Sequence, residues 1–144
     1  MTLEHLRYSP ELIADILHST KTIALVGASA NTERDSNEVM QYLQQKGYRV
    51  IPVNPGLAGK KLLGETVYAK LADIPEKIDM VDVFRNSEAA GPICDEAVAI
   101  GAKYVWMQLG VTNEAGAARA EKAGIKVVMN RCPKIEIPRL VRQG

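Results

Sequence analysis

The stretch Ile23-Ala24-Leu25-Val26-Gly27-Ala28-Ser29 decides the fold, because an apolar run breaks there abruptly into small residues. A second apolar run, Tyr48-Arg49-Val50-Ile51-Pro52-Val53, ends in Asn54-Pro55. The two runs and the segment between them predict the first βαβ unit of a nucleotide-binding α/β domain. Small residues let a backbone approach phosphate oxygens, and the helix that follows directs its free N–H groups toward them.

Apolar runs and helical segments keep alternating along the rest of the chain. Further strands are predicted at Asp79–Phe84, Lys103–Met107 and Ile125–Met129, and helices at Ser36–Lys46, Ser87–Ile100 and Asn113–Ala123. This alternation predicts an α/β fold: a Rossmann-like, doubly wound, five-stranded parallel sheet with right-handed crossovers in a single domain. We expect the strands in the order 3-2-1-4-5.

The two ends of the chain are expected to be helical. Residues 1–144 should form one domain, in which residues 1–19 are an N-terminal helical extension packed on the sheet. Its helix starts at Ser9-Pro10-Glu11, where a capping hydroxyl and a first-turn proline occur together. Leu62–Asp73 is predicted to be irregular or short structure, and Pro138–Val141 a short terminal helix.

Residues that follow the strands are the candidates for a ligand site, because ligands bind outside the carboxyl ends of parallel strands. Basic residues are frequent at these edges, namely Arg34, Lys60, Lys61, Arg85 and Arg131. Cations around backbone donors suit a ligand with several phosphates. Asn54 stands where a dinucleotide fold usually has the acid that holds the ribose of NAD. The sequence therefore predicts a nucleotide other than NAD.

Composition excludes several other classes of protein. The formal net charge is +1 and the basic residues are scattered, so nucleic acid is not an expected partner. No segment reaches membrane-spanning length and no signal peptide is visible, which predicts a cytoplasmic protein without a membrane partner. Two cysteines and two histidines lack the paired spacing of a metal site, and no metal is expected.

Several motifs occur together in an order that is more specific than any one of them. They are Gly27-Ala28-Ser29, Arg34 with Ser36, Val50-Ile51-Pro52-Val53-Asn54-Pro55, Gly59-Lys60, Asp82-Val83-Phe84-Arg85, Val105–Gly110 and Arg131-Cys132. From about Thr20 to Leu140 the chain resembles the coenzyme A-binding domain family, small relatives of the N-terminal domain of the succinyl-CoA synthetase α subunit. Two positions depart from that pattern: Asp35 places negative charge near the expected phosphates, and Asn130 replaces the usual Asp.

The resemblance implies a role for each motif. The residues implied to approach the phosphates are Gly27, Ala28, Ser29 and Ser36. Those implied to line the nucleotide side are Asn54, Pro55 and Lys60, and those implied to border the pantetheine path are Phe84, Arg85, Gln108, Leu109 and Gly110. From the residues alone, Arg34 is expected to wrap a pyrophosphate from the side, and Ser36 to cap the helix that points at it.

The resemblance implies binding of coenzyme A or an acyl-CoA, without a catalytic centre. The synthetase relatives work through a phosphorylated histidine in a second domain, whereas both histidines here precede the first strand. A carrier, a sensor and a protein–CoA thiol partner all fit. The alternatives are a CoA-delivering subunit of a larger acyl-CoA ligase, with a separate ligase subunit as partner, or an NAD(P)-binding redox protein. A homodimer is a further candidate assembly.

The two cysteines and two of the acids could have either a functional or a structural role. Cys132 follows the fifth strand, where it could form a mixed disulfide with CoA or simply pack in the core, the commoner fate of a free cysteine. Cys94 lies among apolar residues of a predicted helix, which favours packing. Asp79 and Asp82 point to opposite faces of one strand, so we expect them to be solvated or to bind backbone donors rather than to form an acid pair.

Overall fold

The computed structural model describes residues 8–140. The main sheet contains five parallel strands: β1 (Thr22–Val26), β2 (Arg49–Val53), β5 (Met80–Val83), β6 (Tyr104–Met107) and β7 (Lys126–Val128). A short antiparallel hairpin follows β2 and consists of β3 (Lys61–Leu62) and β4 (Glu65–Thr66). The helices are α1 (Pro10–Ser19), α2 (Asp35–Gln45), α3 (Ser87–Ala99), α4 (Glu114–Lys122) and α5 (Pro133–Leu140). The α/β architecture predicted from the sequence is confirmed.

The order of the strands differs from the prediction. The sheet runs β2-β1-β5-β6-β7, which is 2-1-3-4-5 among its own strands, and the expected order 3-2-1-4-5 is wrong. All four residues of β5 are buried, and a strand buried on both faces belongs in the middle of a parallel sheet. The outer edge of β2 carries a bridge from Val53 to Tyr68 instead. The order therefore reverses between β1 and β5.

Side chains alternate between the two faces of the sheet and form two cores. Ala24 and Val26 of β1 belong to the core that packs under α3 and α4. Ile23 and Leu25 belong to the core that contains the apolar faces of α1 and α2. Trp106 is fully buried in this second core, and its Nε1 donates to the Arg131 carbonyl oxygen at 2.9 Å.

The N-terminal helix starts as its sequence predicts. The Oγ atom of Ser9 accepts a hydrogen bond from the Leu12 N–H at 3.0 Å, and Pro10 occupies the first turn. Ile13, Ile16 and Leu17 are buried on one face, and α1 packs against α5. The first seven residues of the predicted extension lie outside the described residues.

The starts of two helices differ from expectation. The terminal helix begins at Pro133 rather than Pro138, since the Cys132 carbonyl accepts the N–H groups of Ile135 and Glu136, each at 2.9 Å. Val141, the predicted last residue of that helix, lies outside the described part of the chain. Asn86, not Ser87, caps α3 with its side chain.

Candidate ligand-binding site

A pocket of about 670 Å³ opens where the carboxyl ends of β1, β2 and β5 meet. This position is the switch point of the sheet, and the volume lies within the range usual for small-molecule sites. The lining residues are Val26, Gly27, Ala28, Ser29, Arg34, Asp35, Ser36, Val53, Asn54, Pro55, Ala69, Lys70, Leu71, Phe84, Arg85, Ile93 and Glu96. Nine of the thirteen residues expected to border the cofactor are among them.

The floor of the pocket is a close approach between the ends of β1 and β5. Gly27 has φ of +96°, and a Cβ atom built on it would lie 2.4 Å from the Phe84 carbonyl oxygen. The N–H groups of Gly27 and Ala28 donate to the Val53 carbonyl at 3.0 and 3.3 Å. These two amides therefore hold the loop against β2, and the backbone donors left for a ligand come later, from Ser29 onward.

Two asparagine side chains occupy the carbonyl groups of the loop after β1. Asn54 Nδ2 donates to the Ala28 carbonyl oxygen at 2.7 Å, and Asn37 Nδ2 donates to the Ser29 carbonyl oxygen at 2.8 Å. Asn37 is 1% exposed. A carbonyl oxygen repels an anion, so occupying these two acceptors makes the loop more favourable to phosphate. The sequence indicated neither contact.

The N-terminus of α2 faces the pocket through Arg34, Asp35 and Ser36. Arg34 holds the capping position without a side-chain cap hydrogen bond, and the helix begins at Asp35. Ser36 is therefore the buried second residue of the helix, and the expectation that it caps α2 is wrong. The first N–H groups of a helix have no partner within it and carry a partial positive charge.

Three cations and two carboxylates line the pocket: Arg34, Lys70, Arg85, Asp35 and Glu96. None of them takes part in the ion pairs formed among residues 8–140. Arg34 therefore does not neutralise Asp35. Sequence reasoning missed Lys70 and Glu96, because the distant bridge between Val53 and Tyr68 and the packing of α3 bring them to the pocket.

Four predicted binding residues and the predicted thiol lie outside the pocket lining, namely Lys60, Gln108, Leu109, Gly110 and Cys132. Lys60 is exposed beside the β3–β4 hairpin, where its carbonyl accepts the Val67 N–H at 2.9 Å. Gln108 is buried, and the Gly110 N–H donates to Asn130 Oδ1 at 2.7 Å. Cys132 is buried in the second core, and the thiol faces no open surface.

Asp79, the residue before β5, and Asp82, within β5, have opposite environments. Burial alone would raise the pKa of Asp79, but the N–H groups of Thr22 and Lys21, each 3.0 Å from Oδ2, hold that pKa below its ordinary value. Asp82 is fully buried, and burial raises the pKa of its carboxyl well above the ordinary value. The expectation that Asp82 is solvated or bound to backbone donors is wrong.

Asp82 and Gln108 carry buried polar atoms on the same face of the sheet. Asp82 pairs in register with Trp106, and Gln108 lies two residues beyond Trp106 on the neighbouring strand. The two carboxyl oxygens of Asp82 and Oε1 of Gln108 have no hydrogen-bond partner within residues 8–140. Three acceptors without a donor suit a neutral, protonated carboxyl group, which can donate one hydrogen bond.

Within residues 8–140 no cluster of three or more His, Cys, Asp or Glu could hold a metal ion. No helix in that range is long and apolar enough to cross a membrane. The buried thiol of Cys94 has a pKa raised to about 11, first by burial and then by the nearby Asp95. Such a thiol stays protonated and packs as an apolar group.

Comparisons with known proteins give this fold and pocket a family context. Residues 21–138 match the family model described as the CoA binding domain. The uncharacterized protein YneT of Bacillus subtilis (strain 168) is 36% identical over 123 residues, covering 85% of this chain and 90% of that protein. A hypothetical protein from Pyrococcus horikoshii OT3 superposes with a TM-score of 0.89 and 41% identity, covering 94% of each chain.

A larger enzyme contains a similar domain. Acetyl-coenzyme A synthetase 1 of Ca. Korarchaeum cryptofilum is 25% identical and superposes with a TM-score of 0.64. The match covers 74% of this chain but 25% of that one. The fold therefore corresponds to one part of that synthetase.

Proposed function

This chain belongs to the CoA-binding domain family, and on that premise we propose that it binds coenzyme A in the pocket at the switch point of its sheet. The observation that carries the proposal is the pocket itself. It combines about 670 Å³ of space with the N-terminus of α2 and three cations that have no ion pair within residues 8–140. Those features match a ligand with several phosphates.

The pyrophosphate binds at the centre of the pocket. Ser29, Arg34 and the first N–H groups of α2 supply donors there, while Asn37 and Asn54 keep the carbonyl oxygens of the loop occupied. Main-chain donors fixed by the fold need little reorganisation when an anion arrives, and the exposed Arg34 guanidinium adds a charge-assisted hydrogen bond.

The pantetheine arm leaves the pocket beside Phe84 and Arg85. β6 is the next strand in the sheet, and Gln108 and Gly110 follow it at the same edge. We place the far end of the arm over these residues, outside the pocket that holds the nucleotide. Cys132 follows β7 at this edge, but it is buried, so a mixed disulfide would require local opening of the second core.

In this proposal the chain is a binding protein: a carrier, a sensor or a thiol partner. The similarity to part of acetyl-coenzyme A synthetase 1 favours a second candidate, a subunit that presents CoA to a separate ligase chain. Co-purification from the native host separates the two. A ligase-type chain recovered with this protein and active only in its presence supports the subunit, and recovery of this protein alone with bound CoA supports the carrier or sensor.

Titration calorimetry with CoA, acetyl-CoA, NAD and NADP tests the proposal. We expect binding of CoA, weaker by about tenfold in Arg34→Ala and in Arg85→Ala, because each loses a charge-assisted hydrogen bond. Lys122→Ala, an exposed cation of α4 far along the sheet, is the matched control and should leave the affinity unchanged. Binding of NAD or NADP without binding of CoA would contradict the proposal.

A further inference from the structure

The β2 side of the pocket lacks the group that commonly recognises an unmodified ribose. In dinucleotide folds an acid near the end of the second strand accepts hydrogen bonds from the ribose hydroxyls, and a nearby cation replaces it where the ribose is phosphorylated. Here Asn54 stands at that end. Its Nδ2 is bonded to the Ala28 carbonyl and its Oδ1 accepts the Gly56 N–H at 2.8 Å. Both polar atoms of the Asn54 side chain are therefore hydrogen-bonded to the backbone of the protein.

A cation is brought to this side of the pocket from a distant part of the chain. The Asn54 N–H donates to the Tyr68 carbonyl at 2.9 Å, and the Tyr68 N–H donates to the Pro52 carbonyl at 3.1 Å. These bonds extend the sheet past β2 and place Lys70, two residues further on, in the lining of the pocket.

The Lys70 ammonium group is not paired with an acidic side chain within residues 8–140. Its side chain is exposed, and none of the hydrogen bonds or ion pairs between residues 8 and 140 uses its ammonium group. Glu96 on α3 lines the same pocket without pairing to it. A cation that is not neutralised within the protein remains available to an anion of the ligand.

Lys70 and Arg34 are cations on different elements of the pocket. Lys70 lies beyond the end of β2, whereas Arg34 lies at the N-terminus of α2, where the pyrophosphate is proposed to bind. Coenzyme A likewise carries two separate anionic groups, the 5′-pyrophosphate and the 3′-phosphate on the ribose. We infer that Lys70 binds the ribose phosphate and so makes the pocket selective for phosphorylated adenosine. This inference rests on the proposed function.

Calorimetry with CoA and with dephospho-CoA, which lacks only the 3′-phosphate, tests the inference. The unmodified protein should bind CoA about tenfold more tightly than dephospho-CoA, and Lys70→Ala should reduce that preference to about twofold or less. Lys70→Glu should reverse it. Lys122→Ala is again the matched control, since Lys122 is an exposed lysine of α4 that does not line the pocket. It should keep the full preference.

Each outcome supports or overturns the inference. A preference that survives in Lys70→Ala, or is lost equally in Lys122→Ala, overturns it. Equal binding of both ligands by the unmodified protein also overturns it but leaves the proposed function standing. If neither CoA nor dephospho-CoA binds, both the proposed function and the inference are contradicted. Because Lys70 is exposed, circular dichroism of the variants should match that of the unmodified protein, and the affinities remain comparable.

Discussion

At Gly27 the chain leaves β1 with a backbone conformation that side chains rarely adopt, directly against the backbone of β5. Substituting Gly27→Ala should therefore cost about 1–2 kcal/mol for the conformation and a further 1–3 kcal/mol for the clash with the Phe84 carbonyl. Gly47 has nearly the same φ, +95°, and open space around it. Gly47→Ala should show the first cost alone in urea unfolding. Equal losses of stability in Gly27→Ala and Gly47→Ala would mean that the contact with the Phe84 carbonyl adds no cost.

Replacing Asp35 should change the affinity for CoA and the stability of the fold in opposite directions. Its carboxylate lines the pocket and has no ion pair within the described chain, so Asp35→Asn should tighten CoA binding about two- to fivefold by removing repulsion. The same change removes a negative charge from the first turn of α2, which should lower stability by about 0.3–1 kcal/mol. Calorimetry and thermal unfolding measure the two effects. Weaker CoA binding in this variant would contradict the placement of the phosphates.

The sequence predicted some single residues of the site but not others. Gly27, Ser29 and Arg85 could be found, because each follows an apolar run that ends at the ligand edge. Lys70 and Glu96 could not, since their positions depend on a long-range bridge and on helix packing. Asp82 was misplaced because a carboxylate is usually solvated, and only its position in the central strand buries it.

Helices α3 and α4 approach each other closely at two glycines. A Cβ atom on Gly116 would lie 2.9 Å from the Gly91 Cα and 3.3 Å from the Cys94 Sγ. Gly116→Ala should therefore destabilise the protein by about 1–3 kcal/mol through overpacking, although alanine favours a helix by about 1 kcal/mol. Ala118→Gly, at an exposed position of α4, measures the propensity effect alone. A more stable Gly116→Ala variant would show that the helices separate at no cost.

Most helices and strands could be predicted from periodicity and caps, because those signals lie within a few residues of each element. The order of the strands could not, since it depends on pairing between distant segments. Three of the four residues of β5 are apolar, which was the available signal for a central strand, but Asp79 just before it and Asp82 within it obscured that signal. The β3–β4 hairpin, with two residues in each strand, is too short for a periodic pattern.

For the whole molecule, the buried carboxyl of Asp82 should make stability depend on pH. Its pKa is raised in the folded state, so the folded protein keeps a proton that the unfolded chain releases above about pH 4. The free energy of unfolding should then fall as pH rises from 5 to 8, by up to about 1.4 kcal/mol per pH unit until the folded pKa is reached. Acids with lowered pKa, such as Asp79 and Asp95, act in the opposite direction and at lower pH.

Urea unfolding of Asp82→Asn between pH 5 and pH 8 isolates this effect. The difference in stability between the variant and the unmodified protein should grow in favour of the variant as pH rises, and other titrating groups cancel because both proteins retain them. Asp95→Asn, an exposed control, should show no such trend in this range. A constant difference between Asp82→Asn and the unmodified protein would mean that Asp82 is already ionised in the fold.

Coenzyme A is proposed to bind in the pocket between the loop after β1, the end of β2 and the N-terminus of α2. A crystal structure of the protein with coenzyme A is the decisive test. We expect pyrophosphate oxygens within hydrogen-bond distance of Ser29, Arg34 and the first N–H groups of α2. Coenzyme A bound on another surface, with this pocket empty, would contradict it.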